Sequence, residues 1–345
     1  MTAPRSPAQD FIRLYESQFS QYQADANLAK TLISEITDPT GIMLYGISAR
    51  AKTPASLRGK LRRKNYEHPE KDITDLVGIR IVTFYHDDID AIVRHLRRRL
   101  DINKKDSIDK RSQLGLREFG YRSVQLVARP NPKDVQAFDF QVLQGRWFEI
   151  QVRSVLEHAW AEIEHKIIYK AKIKYPEDVV RRFASLAGTI EILDDEFVEL
   201  KKKRNEFIGY YREHYKKDQD DLTPFDVARL LGFLEACRPK GRSWRQAEAA
   251  GAPFQAGLDA SCVEALSSVG LGTPNALRGV FTSSKFRRIS SRFAAARDIA
   301  PKEISHPAAV VLALIVTDAS AIGRHFPEVL FDQTIRDLID SVLAR

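Results

Sequence analysis

The 345-residue chain has two cysteines, Cys237 and Cys262, in no metal-ligand or redox spacing. That pattern argues against a zinc finger or a disulfide framework and fits a reducing cytoplasm. Long apolar runs are also missing. The longest, Ala308 to Val316, is too short to span a bilayer and predicts a buried helix. The opening MTAPRSPAQD has no apolar segment of the kind a secretory signal needs. No Walker A motif occurs, so phosphate chemistry here would depend on side chains rather than on a glycine-rich backbone cradle. The chain shows neither internal repeats nor low-complexity segments.

The length allows two domains with real cores, and the apolar and charged fractions are those of a soluble globular protein. The net charge of +8 is concentrated: residues 51 to 133 hold 20 Lys/Arg against 11 Asp/Glu. A local basic excess favours phosphate-bearing ligands, without separating a nucleotide from a nucleic acid.

Periodicity predicts helix over residues 9 to 36, and Thr53-Pro54 reads as an N-cap and first turn of a basic helix reaching about Lys64. Gly78 to Phe84 reads as a buried strand, and Asp87 or Asp88 as the cap of a helix to Leu100. Three further strands are expected at 123–128, 136–143 and 146–153, with Gln144-Gly145 turning between the last two. Helices are expected at 155–172 and 176–215. The charged run 216–221 reads as a linker, and 222–345 as wholly helical. The domains are therefore expected at 1–215 and 222–345.

The most informative segment is Glu149 to Lys166. Glu149, Gln151 and Arg153 alternate with Phe148, Ile150 and Val152, which puts three polar groups on one strand face. The segment continues as a helix. A wall of a phosphate site and an ordinary edge strand both fit that pattern. Arg50, Lys52, Ser56, Lys60 and Lys64 surround the start of a helix, the last three on one face; they suit a triphosphate or a solvated basic helix. Asp75 stands at the entrance of the buried strand, where a carboxylate can hold Mg²⁺ or cap a turn; Gly78 permits close backbone approach and Arg80 projects from the strand. Tyr121, in FGYRS, suits base stacking or packing at a strand edge. His158, Glu162 and His165 share one helix but lack the H-E-x-x-H spacing, and packed surface histidines explain them better than zinc. The run Arg94 to Arg99 is read as a solvated helix face, with nucleic-acid contact the alternative.

Taken in order, RAKTPASLRGKLRRK (50–64), DLVGIRIV (75–82), FGYRSVQLV (119–127) and EIQVRSVLEHAWAEIEHKIIYK (149–170) resemble the synthetase domain of the RelA/SpoT-like family, over about residues 25 to 210. The resemblance implies an α+β fold, a mixed sheet flanked by helices related to nucleotidyltransferases, followed here by an all-helical C-terminal domain. It implies Mg²⁺-dependent transfer of the β,γ-pyrophosphate of ATP to a ribose 3′-hydroxyl, usually of GDP or GTP. Carried over by position, Arg50, Lys52, Lys60 and Arg80 would hold ATP. Asp75 and Glu149 would be the catalytic acids, Asp75 as the Mg²⁺ ligand and Glu149 as the second carboxylate, binding Mg²⁺ or accepting the 3′-hydroxyl proton. Tyr121, Gln125, Gln151 and Arg153 would line the acceptor side.

Three positions depart from the family pattern. Gln125 stands where histidine is common, Ser154 replaces a threonine, and the loop DKRSQLGLREFGYRS differs from that of the long enzymes. Two of these lie on the acceptor side, so tRNA 3′ ends or adenosine nucleotides are alternative acceptors, and a degenerate sensor is a third reading. Only 25 to 50 residues precede the match, too few for the family's hydrolase domain. A soluble, cytoplasmic protein without membrane contact is expected. The C-terminal region resembles no nameable module and suits a homo-oligomer contact or a protein partner.

Overall fold

The computed structural model describes residues 7–64, 66–112, 123–131, 140–143, 145–166, 175–217, 221–237, 258–297, 304–327, 329 and 332–343. They form two compact units, 1–199 and 200–345.

The first unit is built on five strands: β1 (Leu44–Ala51), β2 (Val77–Thr83), β3 (Leu100–Asp109), β4 (Val124–Pro130) and β5 (Phe148–Ser154). Their order is β1-β2-β5-β4-β3. The central pair β2–β5 is parallel and the other pairs are antiparallel, so the sheet is mixed, as expected. Alternation divides its two faces. Ile79, Ile81, Leu126, Ile150 and Val152 are buried in one cluster with Ile33 and Ile36 of α2 (Phe19–Thr37) and Ile89, Ile92 and Leu96 of α5 (Asp88–Arg99). The opposite face carries Arg80, Glu149 and Gln151 and borders a cavity.

Ser56 of α3 (Pro54–Arg63) lines the cavity, and α1 (Pro7–Ser17) packs on α3 and on the single turn α4 (Pro69–Asp72). Tyr15, Leu57, Ile73 and Leu76 form a separate small core that joins α1, α3 and the approach to β2. Beyond β5 come α6 (Val155–Glu164) and the 41-residue α7 (Glu177–Lys217), whose residues up to 199 belong to the first unit. Ser154 caps α6 through a capping box with Glu157, and its hydroxyl donates to Asp194 Oδ2 at 2.6 Å. The strand-to-helix corner is thus tied to α7.

Several local expectations need correction. The helix expected over 9–36 is two helices, broken at Gln18. The helix expected from Thr53-Pro54 forms as expected, but β1 before it was not foreseen: Leu44 to Ala51 gains its pairing from β2, a partner remote in sequence. β3 was not foreseen: LDINKKDSID is polar and lies at the sheet edge, held by β4 rather than by burial. Of the expected strand 136–143, residues 136–139 lie outside the described set, and Gln141–Leu143 is a 3-10 turn. Gly145, at φ +79, makes the turn before β5 in the left-handed region that suits glycine. Asp87 flanks α5 but makes no side-chain cap bond. Lys64 is not on the face shared by Ser56 and Lys60; it is the extended residue ending α3.

Among the described residues, the second unit holds the end of α7 and seven further helices: α8 (Val227–Cys237), α9 (Ala260–Ser268), α10 (Pro274–Thr282), α11 (Ser284–Ala296), α12 (His306–Asp318), α13 (Ser320–His325) and α14 (Gln333–Leu343). Its core is centred on α12, in which every residue from Ala308 to Val316 is buried, as that apolar run predicted. Pro at the second position and Ser305 as N-cap start this helix, its hydroxyl accepting from the Ala308 amide at 3.3 Å. No helix among the described residues is long and apolar enough to cross a membrane.

Gly232 of α8 lets two helices touch at the backbone. A Cβ there would lie 2.5 Å from Tyr211 Cβ and 2.9 Å from the Arg212 nitrogen. Gly232→Ala is therefore expected to destabilise the second unit by about 1–3 kcal/mol, despite alanine's better helix propensity. Chemical denaturation checks this; an unchanged or raised midpoint would contradict the close approach.

Candidate active site

The site begins with sheet register. Arg50 of β1 pairs with Gly78 of β2, and Gly78 pairs with Glu149 of β5. One rung of the sheet therefore carries a guanidinium, a gap and a carboxylate. Strands lie about 4.8 Å apart, so Arg50 and Glu149 flank Gly78 two strand spacings from each other. The next rung on the same face is Ser48, Arg80, Gln151 and Gln125. An ideal Cβ on Gly78 would meet nothing within 4 Å. The absent side chain opens the floor of the site rather than relieving a clash.

Asp75 sits just before β2, facing this floor. Its Oδ2 lies 2.9 Å from Lys52 Nζ, and its Oδ1 accepts from Lys60 Nζ at 2.8 Å. The cavity has a volume of about 270 Å³, and its wall includes Arg50, Lys52, Ser56, Asp75, Gly78, Arg80, Glu149 and Gln151. Lys60 reaches it through Asp75. The sequence-predicted acids and cations are thus brought to one cleft. Glu149 Oε1 accepts from Gln151 Nε2 at 2.9 Å, which orients the carboxylate along the floor.

Burial raises the Asp75 carboxyl, but hydrogen bonds and charge from Lys52 and Lys60 outweigh it, and the group is held below the usual carboxylate range. Burial disfavours the Lys60 ammonium, yet the bond to Asp75 carries its pKa above the ordinary lysine value. Both partners are therefore charged at neutral pH.

Tyr15 was not singled out from sequence. It is 1% exposed, and its hydroxyl donates to the Lys52 carbonyl at 2.6 Å. The Lys52 amide donates to the Leu76 carbonyl at 2.8 Å. Lys52 and the residue after Asp75 are consequently locked together, with α1 behind them. Burial, together with Tyr22 and Asp75, pushes the Tyr15 phenol up to about 12, so it remains a donor at any physiological pH. In sequence, Tyr15 is one apolar position of an amphipathic helix among many, with no signal of its own.

A second cavity, of about 380 Å³, adjoins the first along Arg50, Arg80 and Gln151, and its wall also includes Gln125, Arg153, Glu162 and His165. Gln125, Gln151 and Arg153 are thus brought together. Arg153 departs from the expected open face: it is 2% exposed, and its guanidinium lies 3.5 Å from Glu162 Oε1. The same oxygen holds Arg80 at 2.9 Å. Glu162 anchors arginines of the site instead of joining a His158–Glu162–His165 metal triad. Tyr121 lies outside the described residues. The run Arg94–Arg99 is on α5, which covers the other sheet face, away from the cleft.

Among the described residues, no three or more His, Cys, Asp or Glu side chains form a metal-binding group. The cleft offers two carboxylates, Asp75 and Glu149. That donor set fits Mg²⁺, which takes one or two protein carboxylates and completes its shell with water and substrate phosphates. Zinc, which wants histidine or thiolate, does not fit.

Asp75 supplies stability at neutral pH through its lowered pKa. That contribution is complete above the unfolded value, near pH 4, and is lost as pH falls through the folded value. Asp75→Asn should flatten the loss of unfolding free energy between about pH 5 and pH 2 relative to the wild type. Denaturant titrations across that range measure it; parallel pH curves would contradict the ion-pair geometry.

Residues 49–174 match the family model described as a region found in RelA/SpoT proteins. The chain is 31% identical over 159 residues to GTP pyrophosphokinase YjbM of Bacillus subtilis, spanning 45% of this chain and 71% of the relative. It is 28% identical over 162 residues to GTP pyrophosphokinase YwaC of the same organism, spanning 45% of this chain and 72% of the relative. The crystal structure of small alarmone synthetase 1 from Bacillus subtilis aligns at a TM-score of 0.46 and 26% identity, over 56% of this chain and 99% of that one. On the sequence match, which covers more than two thirds of YjbM, this chain belongs to the RelA/SpoT family, as a GTP pyrophosphokinase-like enzyme.

Proposed function

We propose that the chain is an ATP:nucleotide 3′-pyrophosphotransferase that makes (p)ppGpp from ATP and GDP or GTP. The observation that carries this reading is the cleft itself: Asp75 between Lys52 and Lys60, facing the Arg50–Gly78–Glu149 rung. The relatives named GTP pyrophosphokinase support it.

In this reading Arg50, Lys52 and Lys60 take the ATP phosphates by charge-assisted bonds, and Arg80, fixed by Glu162, adds positive field beside them. Asp75 and Glu149 would hold Mg²⁺, which when bound offsets phosphate charge. Glu149 accepts the proton of the acceptor 3′-hydroxyl. That oxygen bonds to the β-phosphorus as the bond to the α,β-bridging oxygen breaks, and AMP leaves with its electron pair. Lys52 and Lys60 can turn from Asp75 to phosphate when the substrate arrives. Gln125, Gln151 and Arg153 line the acceptor side, and Tyr121 stacks on its base. Two cysteines in no redox or metal-ligand spacing fit a reducing, cytoplasmic setting.

Purified protein with Mg²⁺ and ATP, offered GDP, GTP, further ATP or tRNA in separate reactions, should yield AMP and a 3′-pyrophosphorylated guanosine nucleotide with GDP or GTP and no transfer to ATP or tRNA. Label on tRNA alone would replace the acceptor assignment, and no product with any acceptor would overturn the reading. Glu149→Gln should lower turnover by about a hundredfold or more while leaving the fold intact. Gly78→Val tests the open floor: it should cut kcat/KM at least tenfold with thermal stability nearly unchanged, since its side chain enters empty space.

A further inference from the structure

The second cavity, of about 380 Å³, has two carboxylates on its wall, Glu162 and Glu164. Glu162 is held by Arg80 and Arg153. Glu164 is half-buried, yet it makes no hydrogen bond or ion pair with any described residue. Burial raises its carboxyl above the ordinary glutamate range, and the charge of Lys110 offsets only part of that. Glu164 is also the last residue of α6, where the helix dipole works against a negative charge. His165 and Lys166 continue the chain as a π-helical turn, a distortion frequent at functional sites. An acid so placed adds nothing to the stability of the fold, and the open side of its carboxylate is the cavity.

Chemistry limits what it takes. An ionised carboxylate only accepts hydrogen bonds, so it repels phosphate and suits a ligand edge made of N–H donors. The cavity shares Arg50, Arg80 and Gln151 with the Asp75 cleft. With an acceptor 3′-hydroxyl at Glu149, the base of the same nucleotide extends past Gln151 into this cavity. Guanine presents two adjacent donors, N1–H and the 2-amino group, which match the two oxygens of one carboxylate in a charge-assisted pair. Adenine presents the lone pair of N1 at the same place, and a carboxylate repels it. Gln125, on the same cavity wall, has an amide that can donate to guanine O6.

We propose that Glu164 is the specificity residue of the acceptor cavity and recognises a guanine base by accepting from its N1–H and its 2-amino group. This rests on the pyrophosphotransferase reading with GDP or GTP as acceptor, and it adds the residue that excludes adenosine nucleotides. Glu149 and Glu164 then divide the acceptor between them: Glu149 meets the ribose hydroxyl and Glu164 the far edge of the base. A base that leaves Glu164 without donors keeps a desolvated acid unpaired, which is the source of the discrimination.

Initial rates of the full chain with Mg²⁺, ATP and the 5′-diphosphates of guanosine, inosine, xanthosine and adenosine test this. The wild type should prefer guanosine to inosine, which lacks the 2-amino group, by about tenfold in kcat/KM. It should prefer guanosine to xanthosine and adenosine by on the order of a hundredfold or more. Glu164→Gln should lose about tenfold with guanosine and gain with xanthosine, whose 2-oxo group accepts from the glutamine amide, while the KM for ATP stays unchanged. Glu164→Ala should flatten the preference for guanosine over inosine, with unchanged circular dichroism. A loss shared equally by all four acceptors, the wild-type order retained in Glu164→Gln, or equal use of guanosine and inosine by the wild type would overturn the assignment of Glu164 and leave pyrophosphate transfer to GDP standing. Transfer to adenosine diphosphate or tRNA alone, or to no acceptor, would overturn both.

Discussion

One carboxylate held between two ammonium groups organises the first unit. Asp75 stands at the entry to β2, Lys52 follows β1, and Lys60 is one turn from the end of α3, so three separate segments meet at it. Leaving any of these charges buried without its partners would be costly, and the geometry is therefore fixed on all three sides. The backbone reinforces the same junction through the Tyr15 and Leu76 contacts of Lys52. In the free protein this cluster stores positive charge close to a carboxylate, ready to be shared with phosphate.

The sheet supplies the other half of the site. Its mixed pairing places β2 beside β5 although 64 residues separate Thr83 from Phe148. Register then puts Glu149 one strand from Gly78 and two from Arg50. The apolar face under this rung is packed by α2 and α5, which anchors the strands that carry it. On the face that borders the cavities, Glu162 binds both the half-buried Arg80 and the buried Arg153.

Much of the site was legible because charge and spacing are local. Asp75, Glu149, Arg50, Lys52 and Lys60 sit in short stretches whose order carries the family resemblance, and they do converge. The buried helix at Ala308 to Val316 was legible from apolarity alone. Other features were not. β3 is polar, and its pairing with β4 makes it a strand. Glu162 lies at metal-ligand spacing to two histidines, but Arg80, on a remote strand, claims it first. Arg153 alternates correctly with its neighbours, yet α6 covers it.

By itself, then, the sequence determined which chemical groups the cleft has: acids, guanidiniums and ammoniums, in segments with definite helix or strand preference. Local preference and hydrophobic period act over a few residues, so they need no partner to be read. Only the tertiary structure decided which carboxylate is paired with which cation, that Gly78 is the floor between Arg50 and Glu149, and that Tyr15 braces Lys52. Those facts depend on strand register and on contacts between segments far apart in the chain, where many pairings satisfy the same local pattern and packing selects one.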